Sequence, residues 1–478
     1  MRILALEASS TSAKAALFDS ASQQLSVVTR PFQDEAADPA LRDADAVVAQ
    51  VLDLGRAHLA ANAVEPADVA LVTLCATWHG LTLQTPDGDS VTPVYGWSYT
   101  GASDVEQRLQ AEAGLALWCY QRTGCPLSGS FPAVKLLALA EAGLDLSSGL
   151  MMDEGSVLFQ RLTGKRTTTA SLASGTGLLN LRTGHWDHRV VDVLGLDGLR
   201  LPQFARPTET APLRHRAATM LGLTAGTPVL APQPDGGLSQ LGDDATVPAI
   251  MTASLGTSGA LRLSVPTPTL GLAHRTWCYR SPTGWLAGAA TSGCGNETER
   301  ARDMLFDSAD PAAVEPRLRP GARDVPTFLP FHFGERSPGW HSRRQAGFVG
   351  PLEAYDDVDR YQAVLQGVTF NLRQGFDELV DLVGQPICVR LSGGVLESPF
   401  WTQLTADVLG VDLELSPQRH ASITGAIRLG LAALDEPSAT LDLSDAASPT
   451  VSPDPKLADY YQERYAAYLQ AYERTSPR

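Results

Sequence analysis

A short pattern of residues occurs twice in the chain, about half the sequence apart. ILALEASSTSAKAALFD begins at residue 3 and AIMTASLGTSGALRLSV at residue 249. Each is typical of a strand, a turn rich in Ser, Thr and Gly, and a second strand, and aligning Thr11 with Thr257 also aligns Ser12 with Ser258. The repeat indicates two similar domains, although two unrelated polar hairpins would look the same. Such turns expose N–H and hydroxyl groups that can bind phosphate oxygens.

Apolar runs that end in small or polar residues alternate with longer amphipathic segments along the whole chain. The runs predict strands within 3–10, 70–80, 228–237, 249–259 and 387–394. Helical periodicity predicts helices within 42–61, 103–113, 132–142, 358–383, 399–409, 421–434 and 456–473. This alternation is typical of α/β proteins, in which ligands bind beyond the ends of the strands.

Length and charge limit the classes of function. A chain of 478 residues is too long for one hydrophobic core and predicts two or three domains. The net charge of −16 gives no field that attracts nucleic acid or an anionic membrane. We find no run of 18 apolar residues, no signal peptide and no metal-binding or disulfide spacing among the six cysteines. We therefore expect a cytoplasmic protein without nucleic-acid or membrane partners.

One aspartate lies where a predicted strand meets a Gly-Gly turn. In APQPDGGLSQLG, Asp235 follows an apolar run and precedes Gly236 and Gly237. Such an aspartate can be a turn former or a helix cap, or a catalytic carboxylate. SLGTSGALR follows it after a short interval, and LSGGVLESPFW brings a further Gly-Gly turn before a predicted helix.

Together with LPFHFGERSPGW at 329–340, these motifs resemble the FGGY carbohydrate kinases from the first hairpin to about residue 434. The resemblance implies an α/β fold with two ribonuclease-H-like (actin- and hexokinase-like) domains flanking a cleft. The expected domains are 1–240, on the sugar and phosphate side, and 241–478, on the nucleotide side with the C-terminal helix. It also implies ATP- and Mg²⁺-dependent phosphorylation of a hydroxyl of a small-molecule carbohydrate substrate. TWHG, RTGCPL, SLASGTGLL and GTSGALR look most like gluconate kinases and next like xylulose kinases.

Residue by residue, the resemblance implies a set of site residues, with Asp235 as the general base. The implied substrate contacts are Trp78, His79, Trp97, Ser130, Phe131 and Asp235. The implied phosphate and nucleotide contacts are Ser10, Thr11, Ser12, Lys14, Gly256, Thr257, Ser258, Gly393, Gly394 and Ser398. The implied metal residues are Glu7 and Asp235. In GNETERARD, a solvated helical face is expected for Glu297, Glu299, Arg300 and Arg302.

The chain departs from the family pattern at four positions. Glu7 stands where the family has an aspartate, and Ser9 where it has a glycine. Tyr99 and Gly101 replace the aspartate and arginine of a substrate motif, which should alter the hydroxyls or carboxylate that the pocket recognises. The alternatives are therefore a kinase for xylulose, another pentulose or a polyol, or a nucleotide- and sugar-binding sensor that has lost transfer. The oligomeric state is left open, with a homodimer as one option.

Overall fold

The structure is a computed structural model that describes residues 1–33, 38, 40–306, 310–321, 325–418, 420–436 and 448–475. Within these ranges the strands are β1 (Arg2–Ala8), β2 (Ser12–Asp19), β3 (Gln24–Pro31), β4 (Leu41–Arg42), β5 (Val69–Ala76), β6 (Thr82–Gln84), β7 (Val94–Tyr95), β8 (Leu150–Met152), β9 (Thr167–Thr169), β10 (Gln203–Ala205), β11 (Thr210–Pro212), β12 (Pro228–Leu230), β13 (Gln233–Pro234), β14 (Ile250–Leu255), β15 (Gly259–Val265), β16 (Trp277–Ser281), β17 (Gly284–Thr291), β18 (Thr327–Leu329), β19 (Gly347–Val349), β20 (Cys388–Ser392), β21 (Leu413–Leu415) and β22 (Thr450–Val451). The α-helices are α1 (Ala44–Ala61), α2 (Ser103–Ala111), α3 (Leu115–Thr123), α4 (Pro132–Glu141), α5 (Glu154–Thr163), α6 (Ala170–Ser174), α7 (His188–Val193), α8 (His215–Leu221), α9 (Asp235–Gly242), α10 (Gly295–Phe306), α11 (Pro311–Val314), α12 (Asp357–Val383), α13 (Pro399–Leu409), α14 (Ala421–Ala433) and α15 (Ala458–Arg474).

The chain forms two compact units, neither of which is continuous in sequence. Unit 1 comprises Met1–Asp244, Cys278–Leu286 and His420–Leu443. Unit 2 comprises Ala245–Trp277, Ala287–Arg419 and Ser444–Arg478. The chain first passes from unit 1 to unit 2 after Asp244, close to the expected boundary at 240. Two later segments then return to unit 1.

Unit 1 is built on a mixed sheet in the order β11-β12-β5-β1-β2-β3, with β13 also paired to β5. Strand β2 is antiparallel to both β1 and β3, whereas β5 runs parallel to β1, β12 and β13. The side chains of β1 alternate between two buried clusters: Leu4 and Leu6 share one with α1, and Ile3 and Ala5 share the other with α14. Helix α14 therefore belongs to unit 1 because its apolar face covers this sheet.

Unit 2 repeats the arrangement around a second mixed sheet, in which the order is β17-β15-β14-β20-β21-β22. Its strands β14 and β15 form an antiparallel hairpin, and β14 runs parallel to β20. In unit 1 the hairpin β1–β2 pairs in the same way with β5. The two similar hairpins predicted from the repeated sequence pattern are confirmed.

The predicted helices are found within a few residues of their expected bounds, as α1, α2, α4, α12, α13, α14 and α15. The run at 228–237 contains two short strands, β12 and β13, and the turn expected at Gly236 and Gly237 is wrong, because α9 begins at Asp235. Among the described residues, none of the helices is both long enough and apolar enough to span a membrane.

Candidate functional site

Three strands of unit 1 end at the same edge of the sheet. Ala76, the last residue of β5, pairs with Ala8 of β1 on one side and with Pro234 of β13 on the other. Because these strands are parallel, the segments that follow them leave the sheet side by side. Those segments are the turn after Ala8, the stretch that starts at Thr77, and helix α9, which starts at Asp235.

The turn after β1 is held by the Ser9 side chain. Ser9 Oγ lies 2.8 Å from the carbonyl oxygen of Ser12 and 2.9 Å from its hydroxyl, and the Ser12 N–H donates to Ser9 Oγ at 3.2 Å. The side chain that replaces the family's glycine thus folds back into the turn. Ser10 Oγ accepts a hydrogen bond from Trp97 Nε1 at 2.9 Å, and Thr11 is exposed at the tip.

A buried carboxylate lies behind this turn. Glu7 is 2 % exposed, and its two carboxylate oxygens accept from Lys14 Nζ at 2.6 Å and from Ser422 Oγ at 2.7 Å. Burial lowers the pKa of Lys14, but the Glu7 and Asp235 charges outweigh it and leave that pKa raised. The pKa of the buried Cys75 thiol is raised strongly, first by burial and then by the Glu7 and Asp235 charges. Both carboxylates therefore act on the same small region.

Asp235 is the first residue of α9 and is half-buried. Its Oδ1 accepts the Gly236 N–H at 2.7 Å. A negative charge at the N-terminus of a helix is favourable because it faces the positive end of the helix dipole. The side chain is thus ionisable, oriented by the backbone, and accessible from the edge where the three strands end.

The two residues after Thr77 are buried, and their side chains are fixed by the segment that begins at α6. Trp78 Nε1 donates to the Ser171 carbonyl at 2.9 Å, and His79 Nδ1 lies 2.6 Å from the Gly175 carbonyl. His79 has a φ of +71°, which non-glycine residues seldom adopt and which is often found at functional sites.

Four rings, His79 among them, form one aromatic cluster. His79 packs edge-on against Phe131, with centroids 4.9 Å apart, and against Tyr279 at 5.7 Å. Trp78 lies 5.1 Å from Tyr279. Phe131 immediately precedes α4, and Ser130 beside it is half-buried. Tyr279 comes from the segment 278–286 and was not predicted, because no motif in the sequence connects it with His79.

Two further residues lie near this cluster, of which one was predicted from the sequence and the other was not. Lys135 was not: it is fully buried, and its Nζ donates to the carbonyls of Gly96 at 2.6 Å and of His79 at 2.9 Å. It thereby ties the loop of Trp97 to the loop of His79. Trp97 was predicted. It is half-buried, and its indole N–H donates to Ser10 Oγ in the turn after β1.

The Tyr99 ring fills the space that a side chain at position 101 would need. A Cβ atom on Gly101 would lie 2.2 Å from Tyr99 Oη and 2.4 Å from its Cζ. The Tyr99 ring also packs edge-on against Tyr95, with centroids 4.9 Å apart. The two departures from the family pattern are therefore coupled: the ring at 99 fills the place where a side chain at 101 would start.

Unit 2 contains a cavity of about 880 Å³, within the size range of small-molecule and cofactor sites. It is lined by the predicted Gly256, Thr257, Gly394 and Ser398. A Cβ on Gly256 or Gly394 would meet nothing within 4 Å, so a ligand can approach the backbone closely there. Its other lining residues include Asn296, Glu299, Arg302, Tyr361 and Trp401, which were not predicted as site residues.

The remaining predicted residues of unit 2 shape the turns around this cavity. The Ser258 carbonyl accepts the Gly256 N–H at 3.1 Å. Gly393 has a φ of +99°, and a Cβ there would lie 2.4 Å from the Leu255 carbonyl oxygen, so only glycine fits. Ser398 Oγ contacts both carboxylate oxygens of Glu315 at 2.9 Å.

The expectation of a solvated face in GNETERARD is wrong for Glu297, whereas Glu299 and Arg300 are exposed. Glu297 is 1 % exposed, and its Oε1 lies 2.5 Å from His332 Nδ1. Burial raises the pKa of Glu297, and the hydrogen bond from His332 opposes the rise. Glu299 and Arg302 border the cavity. Because α10 packs beside the second hairpin turn, only part of its polar surface faces solvent.

Comparison with known proteins agrees with this arrangement. The family models that match are the N-terminal domain of the FGGY family of carbohydrate kinases over residues 2–242, and its C-terminal domain over 251–434. A gluconokinase of Bacillus subtilis (strain 168) is 25% identical over 80% of this chain and 76% of that protein. A xylulose kinase of Streptomyces rubiginosus is 29% identical over 78% and 76%.

Among solved structures, a gluconate kinase from Lactobacillus acidophilus superimposes with a TM-score of 0.88 at 25% identity. The match covers 98% of this chain and 97% of that chain. The expected fold class, two α/β units of the actin- and hexokinase-like kind, is confirmed, with open mixed sheets in both units.

Proposed function

This chain belongs to the FGGY family of carbohydrate kinases, and we propose that it phosphorylates a hydroxyl of gluconate with ATP and Mg²⁺, using Asp235 as the general base. One observation carries the proposal. The first hairpin turn, the segment with His79, and Asp235 all follow strands that end together at Ala76. An anion-binding turn, a sugar-facing loop and a carboxylate base are the parts that phosphoryl transfer to an alcohol requires.

Asp235 has the properties that a base for this reaction needs. ATP, when bound, supplies the phosphoryl group, and Mg²⁺ neutralises charge on its phosphates. Asp235 then takes the proton from the attacking hydroxyl, which requires a carboxylate within hydrogen-bond reach of that oxygen. The carboxylate is half-buried and oriented by the Gly236 N–H, so it is both held and reachable.

The chain offers residues that fit the nucleotide. The open space above Gly256 and Gly394 lets phosphate or ribose groups approach the backbone, and Thr257 adds a hydroxyl at the same wall of the cavity. Anions bind favourably at such turns because the backbone N–H groups are directed toward them.

The chain also fits a magnesium ion held mainly through phosphate oxygens and water, which is how Mg²⁺ binds in many kinases. In the described part of the chain, no three His, Cys, Asp or Glu side chains are grouped as a metal site. Asp235 offers the carboxylate for such an ion. Both oxygens of Glu7 already have hydrogen-bond partners, so we assign Glu7 an indirect role, through water or through Lys14.

The choice of gluconate rests on the motifs around the aromatic cluster. TWHG and SLASGTGLL contribute Trp78, His79 and the carbonyls that hold them. Aromatic rings suit the apolar faces of a carbohydrate, while the missing aspartate and arginine leave fewer polar contacts at Tyr99 and Gly101. We therefore propose relaxed specificity, with gluconate ranking first. Xylulose is the second candidate, because a relative named xylulose kinase is 29% identical to this chain.

A coupled assay of ADP release tests the proposal directly. The purified chain is given ATP and Mg²⁺ with gluconate, xylulose, ribulose, glycerol or erythritol, and a reaction without carbohydrate measures hydrolysis alone. We expect carbohydrate-dependent release that is fastest with gluconate. Fast and strictly selective turnover of xylulose would replace the gluconate assignment. If the chain binds ATP but releases no ADP with any of these carbohydrates, the proposed kinase activity is wrong and a nucleotide-binding sensor is the better interpretation.

A further inference from the structure

Arg42 and Glu154 form a buried ion pair next to the first hairpin turn. Arg42 Nη2 lies 2.8 Å from Glu154 Oε2, and their side chains are 6% and 2% exposed. Arg42 ends β4 and Glu154 begins α5, so regular structure holds both residues. Burying two charges costs about as much as their attraction returns, so such a pair is weak support for stability. A role in fixing local geometry explains it better.

The guanidinium of Arg42 holds the carbonyls of the turn. Its Nη1 donates to the carbonyl oxygens of Ser9 at 2.7 Å and Ser10 at 3.2 Å. The next carbonyl, of Thr11, accepts the Phe32 N–H at 3.0 Å. In a planar trans peptide, a carbonyl and the following N–H point in opposite directions. The contacts with Arg42 therefore turn the N–H groups of Ser10 and Thr11 away from the guanidinium.

Glu154 connects the same pair to the segment that contains His79. Thr77 Oγ1 lies 3.5 Å from Glu154 Oε2, and a Cβ on Gly80 would lie 3.6 Å from the Glu154 backbone nitrogen. Thr77 and Gly80 flank Trp78 and His79 in the sequence. The other carboxylate oxygen, Oε1, is buried without a hydrogen-bond partner among the described residues. A pair optimised for stability would have satisfied that oxygen.

We propose that Arg42 and Glu154 are positioning residues for phosphoryl transfer. They hold the hairpin carbonyls inward, so that the N–H groups of Ser10 and Thr11 face the phosphoryl group, and they align this turn with the segment 77–80. Neither side chain touches substrate. An arginine is required because its planar fork serves two carbonyls and a carboxylate at once, which a lysine ammonium cannot do with the same geometry. The identity of the anion rests on the proposed function, but the hold on the turn does not.

The variant Arg42→Lys separates positioning from stability, with Arg122→Lys as the matched control. Arg122 forms a bidentate pair with the buried Asp187 at 2.8 and 3.0 Å, within the same unit. We expect Arg42→Lys to lower kcat by about 10- to 100-fold, the cost of a misplaced reacting group, with KM values for ATP and carbohydrate changed less than about threefold. Arg122→Lys should lower the melting temperature comparably and leave kcat within about twofold.

A second measurement does not depend on activity. Hydrogen exchange of the peptide covering residues 1–18, without nucleotide or carbohydrate, should be faster in Arg42→Lys than in Arg122→Lys or the unmodified chain. If the unmodified chain phosphorylates no carbohydrate, the proposed function fails while this exchange result still tests the hold on the turn. The double variant Arg42→Gln with Glu154→Gln, which removes both charges, serves if Arg42→Lys does not fold. Unchanged kcat and unchanged exchange in Arg42→Lys would overturn the inference.

Discussion

Exchanging Tyr99 for Asp and Gly101 for Arg should give non-additive effects, because the two positions share one volume. A side chain at 101 starts 2.2 Å from Tyr99 Oη, so Gly101→Arg forces the tyrosine ring to rotate. The rotated ring loses its edge contact with Tyr95, which has a centroid distance of 4.9 Å. Tyr99→Asp removes the same contact outright.

The expected coupling follows from that shared contact. An aromatic pair contributes about 0.5–1.5 kcal/mol beyond the area it buries. Each single variant loses this amount, whereas the double variant loses it once. The effects on the free energy of unfolding should therefore fall short of additivity by about 0.5–1.5 kcal/mol. In the control, Tyr99→Phe keeps the ring, so combining it with Gly101→Arg should give nearly additive effects.

Urea unfolding of the four proteins in the cycle measures the coupling, and kcat/KM for gluconate and xylulose measures its functional side. The restored Asp and Arg should raise specificity for one substrate more in the double variant than either change does alone, because they would form one polar network. Additive unfolding energies in the main cycle would refute the shared-volume argument. Equal coupling in the Tyr99→Phe control would refute its assignment to the ring.

Three other predictions test the remaining parts of the site. Ser9→Ala should destabilise the chain by about 1 kcal/mol and lower kcat, because the turn loses the contacts of Ser9 Oγ with Ser12; urea unfolding and steady-state kinetics check this. The raised pKa of Lys14 means that the stability contributed by its pairing with Glu7 is present below pH 10.5 and is lost as the pH rises through the raised value. The difference in melting temperature between the unmodified chain and Lys14→Met should therefore stay constant up to about pH 10 and shrink at higher pH. Gly394→Ala should raise KM for ATP by about tenfold or more while leaving the melting temperature nearly unchanged, because the added Cβ lies at the cavity wall and meets no protein atom within 4 Å.

Local patterns predicted most of the regular structure. The helix expected over 358–383 is α12 (Asp357–Val383), with a capping box formed by Asp356 and Asp359. The repeated hairpins were predicted because their signal is local: apolar residues and small turn residues follow one another directly in the sequence. The turn expected after Asp235 was wrong because Gly236 and Gly237 resemble a loop in the sequence, whereas they lie in the first turn of α9.

The partners of the site residues could not be predicted, because they are distant in sequence. Ser422 binds the Glu7 carboxylate across 415 positions, and Tyr279 packs on His79 across about half the chain. Lys135 looks like an ordinary residue of an amphipathic helix, yet it is buried on backbone carbonyls. Such contacts depend on how helices and strands pack, for which one sequence carries no local signal.

The measurement that tests the central claim most directly is kcat for carbohydrate-dependent ADP release in Asp235→Asn. Asparagine keeps the size of the side chain and an oxygen for the Gly236 N–H but cannot accept a proton. We predict that kcat falls by about two to four orders of magnitude, with ATP affinity and melting temperature close to those of the unmodified chain. Asp244→Asn, at an exposed carboxylate shortly after the same helix, should leave kcat unchanged. An Asp235→Asn variant with near-normal turnover would contradict the assignment of Asp235 as the base.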